Sequence, residues 1–122
     1  MNPLDCTVGE ELHFGTDIRI QLTGRVGDVL YVFIEASRAH ALVRHAGFSA
    51  TAACHRGYRA HLLALRDQDR FAVGPVRVLV DRVRVVQPGA RLLRDVCLQI
   101  EAPMACVRGA RGPIRRRLSR SG

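Results

Sequence analysis

Asp17-Ile18-Arg19-Ile20-Gln21-Leu22-Thr23-Gly24-Arg25-Val26-Gly27-Asp28-Val29-Leu30-Tyr31-Val32-Phe33-Ile34-Glu35 carries the fold in its period. Ile18, Ile20 and Leu22 alternate with Asp17, Arg19, Gln21 and Thr23, the period of a strand with one face buried. Gly24 to Asp28 is turn chemistry, because glycine supplies the positive φ that tight hairpins require. Leu30, Val32 and Ile34 then resume the alternation. Tyr31 and Phe33 make the other face apolar too, so this second strand belongs in the middle of a sheet. A Gly-x-x-Gly loop can also bring backbone N–H groups to phosphates, and that reading stands beside the hairpin.

Outward from this hairpin, the residues before Gly15 read as an edge element, and 38–44 as a further strand. The alanine-rich segment 45–58, interrupted by Gly47 and Gly57, reads as a short helix or linker. The second half repeats the order of events. Leu62, Leu63 and Leu65 lead through Phe71 and Val73 to Gly74, and Val76, Val78 and Val80 then alternate with Arg77, Leu79 and Asp81. The alternation slips at Asp81–Arg82, as at a bulge. Gln87-Pro88-Gly89-Ala90 is a turn, and Val96, Leu98 and Ile100 alternate again. Strands are therefore expected near 17–23, 29–35, 38–44, 75–81 and 95–101, in a mainly β, antiparallel fold.

Laid on one another, the halves align Leu4 with Leu63, Glu10 with Asp69, Leu12 with Phe71 and Gly15 with Gly74. Arg19 then falls on Arg77, and Ile34-Glu35-Ala36 on Ile100-Glu101-Ala102. Such an order indicates an internal duplication. It divides the chain into a first repeat (1–58), a second repeat (59–112) and a basic tail (113–122).

Charge separates the halves. Residues 1–60 hold six arginines and six acids, whereas 61–122 hold thirteen arginines and five acids, and the whole chain carries +8. A half that basic suits a polyanion such as nucleic acid, or else a solvated basic tail. With 122 residues, 48% hydrophobic and 25% charged, the chain has the composition of one globular domain. The longest uncharged run, His45 to His55, is too short to cross a bilayer. The Met-Asn-Pro-Leu-Asp start lacks a basic n-region and an apolar h-region, so a soluble, cytoplasmic protein is expected.

Cys6, Cys54, Cys97 and Cys106 form no C-x-x-C pair, and His13, His40, His45, His55 and His61 are scattered. No metal, cofactor or disulfide is expected from that spacing. No nucleophile motif nominates a catalytic residue, so the chain is not expected to be an enzyme.

Val8-Gly9-Glu10-Glu11-Leu12-His13-Phe14-Gly15, Asp17-Ile18-Arg19-Ile20, Gly24–Gly27 and Val32-Phe33-Ile34-Glu35-Ala36 follow one another in a spacing that resembles the bacterial carbon storage regulator family. Phe71-Ala72-Val73-Gly74, Val76-Arg77-Val78-Leu79-Val80 and Val96-Cys97-Leu98-Gln99-Ile100-Glu101-Ala102-Pro103 look like a second copy. The resemblance implies two small five-stranded antiparallel units, intertwined as a single-chain pseudo-dimer, with the first strand of each copy beside the last strand of the other. It also implies a post-transcriptional regulator that binds GGA-containing loops in mRNA leaders and usually represses translation. RNA is then the implied partner, as an mRNA leader or a small regulatory RNA, with itself or a related regulator subunit as further partners.

Two composite sites follow from the resemblance. One joins Leu63, Leu65 and Arg66 to the strand ending at Arg44, with Arg38 and His45 nearby. The other joins Leu4, Cys6 and Thr7 to residues 102–111, with Ala102, Pro103 and either Arg108 or Arg111. Cys6 and Thr7 stand where the family has two arginines, and Tyr31 and Cys97 where it has a basic residue. The first site keeps basic residues on both strands and is expected to be the tighter. Arg115, Arg116 and Arg117 would add non-specific phosphate contacts. The lost arginines also suit an alternative, a protein-interaction module that modulates a conventional regulator or binds an antagonist protein.

Overall fold

The computed structural model describes residues 1–44, 48–53, 57–83 and 95–109. Among them eleven strands form and no helix: β1 (Asn2–Cys6), β2 (Glu11–Phe14), β3 (Ile18–Val26), β4 (Val29–Ser37), β5 (Leu42–Arg44), β6 (Phe48–Ala53), β7 (Tyr58–Leu65), β8 (Arg70–Val73), β9 (Val76–Val83), β10 (Val96–Glu101) and β11 (Cys106–Gly109). The opening hairpin is β3–β4. Val26 pairs with Val29, and Gly27 takes φ 59° at the first of two loop positions, as a tight hairpin demands.

Two antiparallel sheets result, with strand orders β1-β10-β9-β8-β5 and β11-β2-β3-β4-β7-β6. Each is built on a three-stranded meander from one half of the chain, flanked by strands from the other half. Exchanging the halves converts β1-β10-β9-β8-β5 into β7-β4-β3-β2-β11, the second sheet without β6. Neither five-stranded arrangement is completed by one half alone. Leu12, Ile20, Leu22, Val32 and Leu65 of one sheet meet Phe71, Val78, Val80 and Leu98 of the other with no room for water. Each such side chain contributes about 1.5–3 kcal/mol by leaving water, so the interface between the sheets is the core.

The halves also share irregularities. Thr23 in β3 is the unopposed residue where Leu22 faces Val32 and Gly24 faces Tyr31. Asp81 in β9 is unopposed in the same way, at the slip seen in the sequence. Gly9 N–H donates to the Leu22 carbonyl at 2.6 Å, and Gln68 N–H donates to the Val80 carbonyl at 2.6 Å. The Glu10 carboxylate accepts from Thr7 N–H at 2.7 Å, as the Asp69 carboxylate accepts from Arg66 N–H at 2.8 Å. Gly9 has φ 103° and Gln68 φ 72°, so a glutamine holds the left-handed position that the first half gives to glycine.

Segment 45–58 departs from the expectation of a helix or linker. Residues 48–53 are strand β6, paired from Phe48↔Ala64 to Ala53↔Arg59. Pairing with β7 overrides the weak β propensity of alanine and serine. Residues 45–47 and 54–56 lie outside the described residues. The strand expected over 38–44 is cut to Leu42–Arg44, because Ser37 to His40 turn: His40 N–H reaches the Ser37 carbonyl at 2.9 Å.

Gly15 and Gly74 occupy matching turns at φ 64° and 56°. An added Cβ at Gly15 meets nothing nearer than Asp17 Oδ1 at 3.7 Å, whereas at Gly74 it would collide with the His40 ring, with Cγ at 2.8 Å. That ring is fixed by a 2.7 Å bond from Nε2 to Asp17 Oδ2. Gly15→Ala should cost about 1–2 kcal/mol, the strain of a left-handed residue. Gly74→Ala should cost more, and His40→Ala beside it should bring the added cost down to the Gly15→Ala value, read from urea midpoints.

Candidate nucleic-acid interface

The edges of the two sheets come together where β1 meets β11. Asn2, Pro3 and Leu4 on one side and Ala102, Met104, Ala105 and Cys106 on the other line a cleft of about 180 Å³, floored by Phe14 and Ile100. Leu4, Ala102 and Met104 are half-buried there and Pro103 is exposed. Of the expected composite, Leu4 is thus brought together with Ala102, Met104, Ala105 and Cys106.

Backbone pairing gives the β11 residues their counterparts in β5. Cys106, Val107 and Arg108 face Phe14, His13 and Leu12, while Leu42, Val43 and Arg44 face Val73, Ala72 and Phe71. Arg108 is therefore the positional counterpart of Arg44. Its Nε and Nη2 donate to the Glu10 carboxylate, each at 2.8 Å, and Nη2 also donates to the Asp5 carbonyl at 2.6 Å. Burial opposes the charge on this guanidinium, but the Glu10 hydrogen bonds and charge outweigh it and raise its pKa. The fork clamps β11 to β1 and to the turn after it. Arg111 lies outside the described residues.

Cys6 points into the core. Its burial pushes the thiol up to about 12 from 9.0, with the Glu10 charge adding to the rise. The folded pKa exceeds the unfolded one, so this contribution to stability is complete below pH 9 and is lost as pH climbs toward 12. Native protein should leave Cys6 unalkylated by iodoacetamide at mildly alkaline pH, and denatured protein should react. Cys6→Ala should flatten the fall in stability above pH 9.

The other composite, β7 with β5, is arranged differently. Leu63 and Leu65 are wholly buried and pack in the core, so their side chains offer RNA no surface. This corrects their expected role. The outer edge of β7 is taken by β6. Arg66 is exposed just beyond β7, and exposed Arg38 ties its own N–H to the Gly57 carbonyl at 2.8 Å. Arg44 lies in β5 opposite Phe71. His45 and the 113–122 tail lie outside the described residues.

Other cations are engaged inside the fold. Arg19 bridges Glu35 at 3.1 Å and Glu11 at 3.7 Å. Arg25, in the candidate phosphate loop, donates from Nε to buried Asp95 at 3.1 Å and from Nη1 to the Gly27 carbonyl. The Gly24–Gly27 loop is thus a hairpin whose arginine reaches the start of β10. The sequence missed Glu10, Asp5 and Met104 as parts of the β1–β11 site, although the Glu10 position was visible in Val8-Gly9-Glu10.

Among the described residues, no cluster of His, Cys, Asp or Glu could hold a metal ion, and no helix is long and apolar enough to cross a membrane. Comparison with known proteins finds no matching family model, no matching curated protein and no matching solved structure.

Proposed function

We propose that the chain is a duplicated, single-chain pseudo-dimer that binds GGA-containing RNA loops and regulates translation through the β1–β11 cleft. The observation that carries this reading is the cleft itself. A strand edge from each half meets there, half-buried Leu4, Ala102 and Met104 offer an apolar platform, and Arg108 is held by Glu10 and Asp5 on the strand that brings Cys106 to the cleft. Unstacked bases of single-stranded loops settle on apolar and guanidinium surfaces, while backbone and arginine groups read their edges. The matching strand orders and hydrogen bonds of the two halves support the duplication.

The ranking of the two composite sites is reversed relative to the sequence expectation. β6 covers the edge of β7, and Leu63 and Leu65 are core. Arg38, Arg44 and Arg66 then serve as phosphate contacts that raise affinity without reading sequence.

Amide chemical-shift mapping with a GGA stem–loop tests the assignment. Shifts should concentrate at Leu4, Ala102, Met104 and Arg108. Shifts confined to residues around Arg38 and Arg66 would move the site to β5 and β7. A spectrum unchanged by RNA would favour the protein-interaction module, for which Cys6 and Thr7 in place of the family's arginines already speak.

A further inference from the structure

A β-sheet edge is a row of unpaired backbone donors and acceptors, and proteins blunt such edges with charge, proline, shortness or cover. Three of the four sheet edges here are blunted. β1 carries Pro3 and Asp5, and its Asp5 carbonyl is taken by Arg108. β11 carries that same Arg108, clamped to Glu10. β5 is three residues long. The fourth edge, β6, is Phe48-Ser49-Ala50-Thr51-Ala52-Ala53, six residues without a charge, a proline or a glycine. Among the described residues its partner is β7 alone, and the exchange of halves supplies no counterpart to it.

We propose that the outer edge of β6 is a homodimerisation edge, where a second copy of this chain adds its own β6 antiparallel to form one continuous sheet across both molecules. A chain of +8 repels its copies, and they approach at least cost where charge is missing. β6 sits inside His45–His55, the longest uncharged run in the sequence. Antiparallel self-pairing is isologous, so it closes at two copies. A two-fold axis normal to the sheet keeps the same face of both strands on the same side. It therefore passes through Ala50 or Thr51, and Ala50 meets Ala50 or Ala52 of its partner. Ala50 stands opposite Leu62 of β7, which in turn faces Phe33 of β4. Leu62 is 38% exposed, so the paired sheet would also double a strip of exposed apolar surface. This pairing is independent of the RNA reading, because it uses neither β1 nor β11.

Sedimentation velocity of the full chain across the micromolar range tests it, beside Ala50→Lys and Ala50→Glu. Circular dichroism and thermal melts identify folded variants. The wild type should dimerise with concentration, each variant should remain monomeric, and an equimolar mixture of the two should recover the dimer through opposite charges. A wild type monomeric throughout would overturn the proposal. So would variants that still dimerise, or a mixture that stays monomeric.

Discussion

Arg108→Ala should lower affinity for a GGA stem–loop by about 10- to 150-fold, the ~1.5–3 kcal/mol of a hydrogen bond from a charged donor, here Nη1, since Nε and Nη2 are held by Glu10 and Asp5. The expectation rests on register and on the clamp. Register makes Arg108 the counterpart of Arg44, and the Glu10 carboxylate and the Asp5 carbonyl hold its guanidinium in one orientation. A planar group already fixed loses little freedom when RNA arrives. Glu10→Gln should retain the arginine yet loosen it, giving a smaller loss and a faster off-rate. Arg66→Ala should weaken binding equally for GGA and scrambled loops, since a phosphate contact carries no sequence information. Filter-binding curves at fixed salt separate these cases. Should Arg66→Ala abolish discrimination while Arg108→Ala leaves it intact, the two composite sites have been ranked the wrong way round.

The largest stability effect should come from Arg25→Ala. Asp95 is 7% exposed, and Arg25 Nε donates to its Oδ2 at 3.1 Å across the two halves of the chain. Removing the cation leaves a buried carboxylate without its partner, which costs about 3 kcal/mol. Domains of this size are stable by only about 5–15 kcal/mol, so the loss is a large share of the total. The urea midpoint should fall with the slope unchanged. Asp95→Asn added to Arg25→Ala should restore part of the loss, because the stranded charge is then gone. A midpoint equal to wild type would mean that Asp95 finds its counter-charge elsewhere.

Local pattern was enough for much of the fold. The β3–β4 hairpin, the β9–β10 pair and the bulge at Asp81 all register in the two-residue period and its interruption. What escaped depends on partners distant in sequence. β6 looks unlike a strand on its own, and only hydrogen bonds to β7 make it one. The choice between Arg108 and Arg111 had no local anchor, because Ala102 to Cys106 is shorter than the matching stretch from Ala36 to Leu42. Pairing of β11 with β2 makes Arg108 the positional counterpart of Arg44. The Glu10–Arg108 clamp joins residues from opposite ends of the chain and leaves no trace in either neighbourhood. Leu63 and Leu65 are a different kind of miss. Their spacing already marked one inward face, and the family resemblance drew them to the RNA against that signal.

In the proposed function each chain holds a single sequence-reading RNA site. This is tested most directly by titrating the full-length protein into a labelled GGA stem–loop, well above the dissociation constant, with a triplet-scrambled loop in parallel. The anisotropy curve should break at one RNA per chain for GGA, with weak, non-saturating binding for the scrambled loop. Superimposable curves for the two RNAs would contradict it.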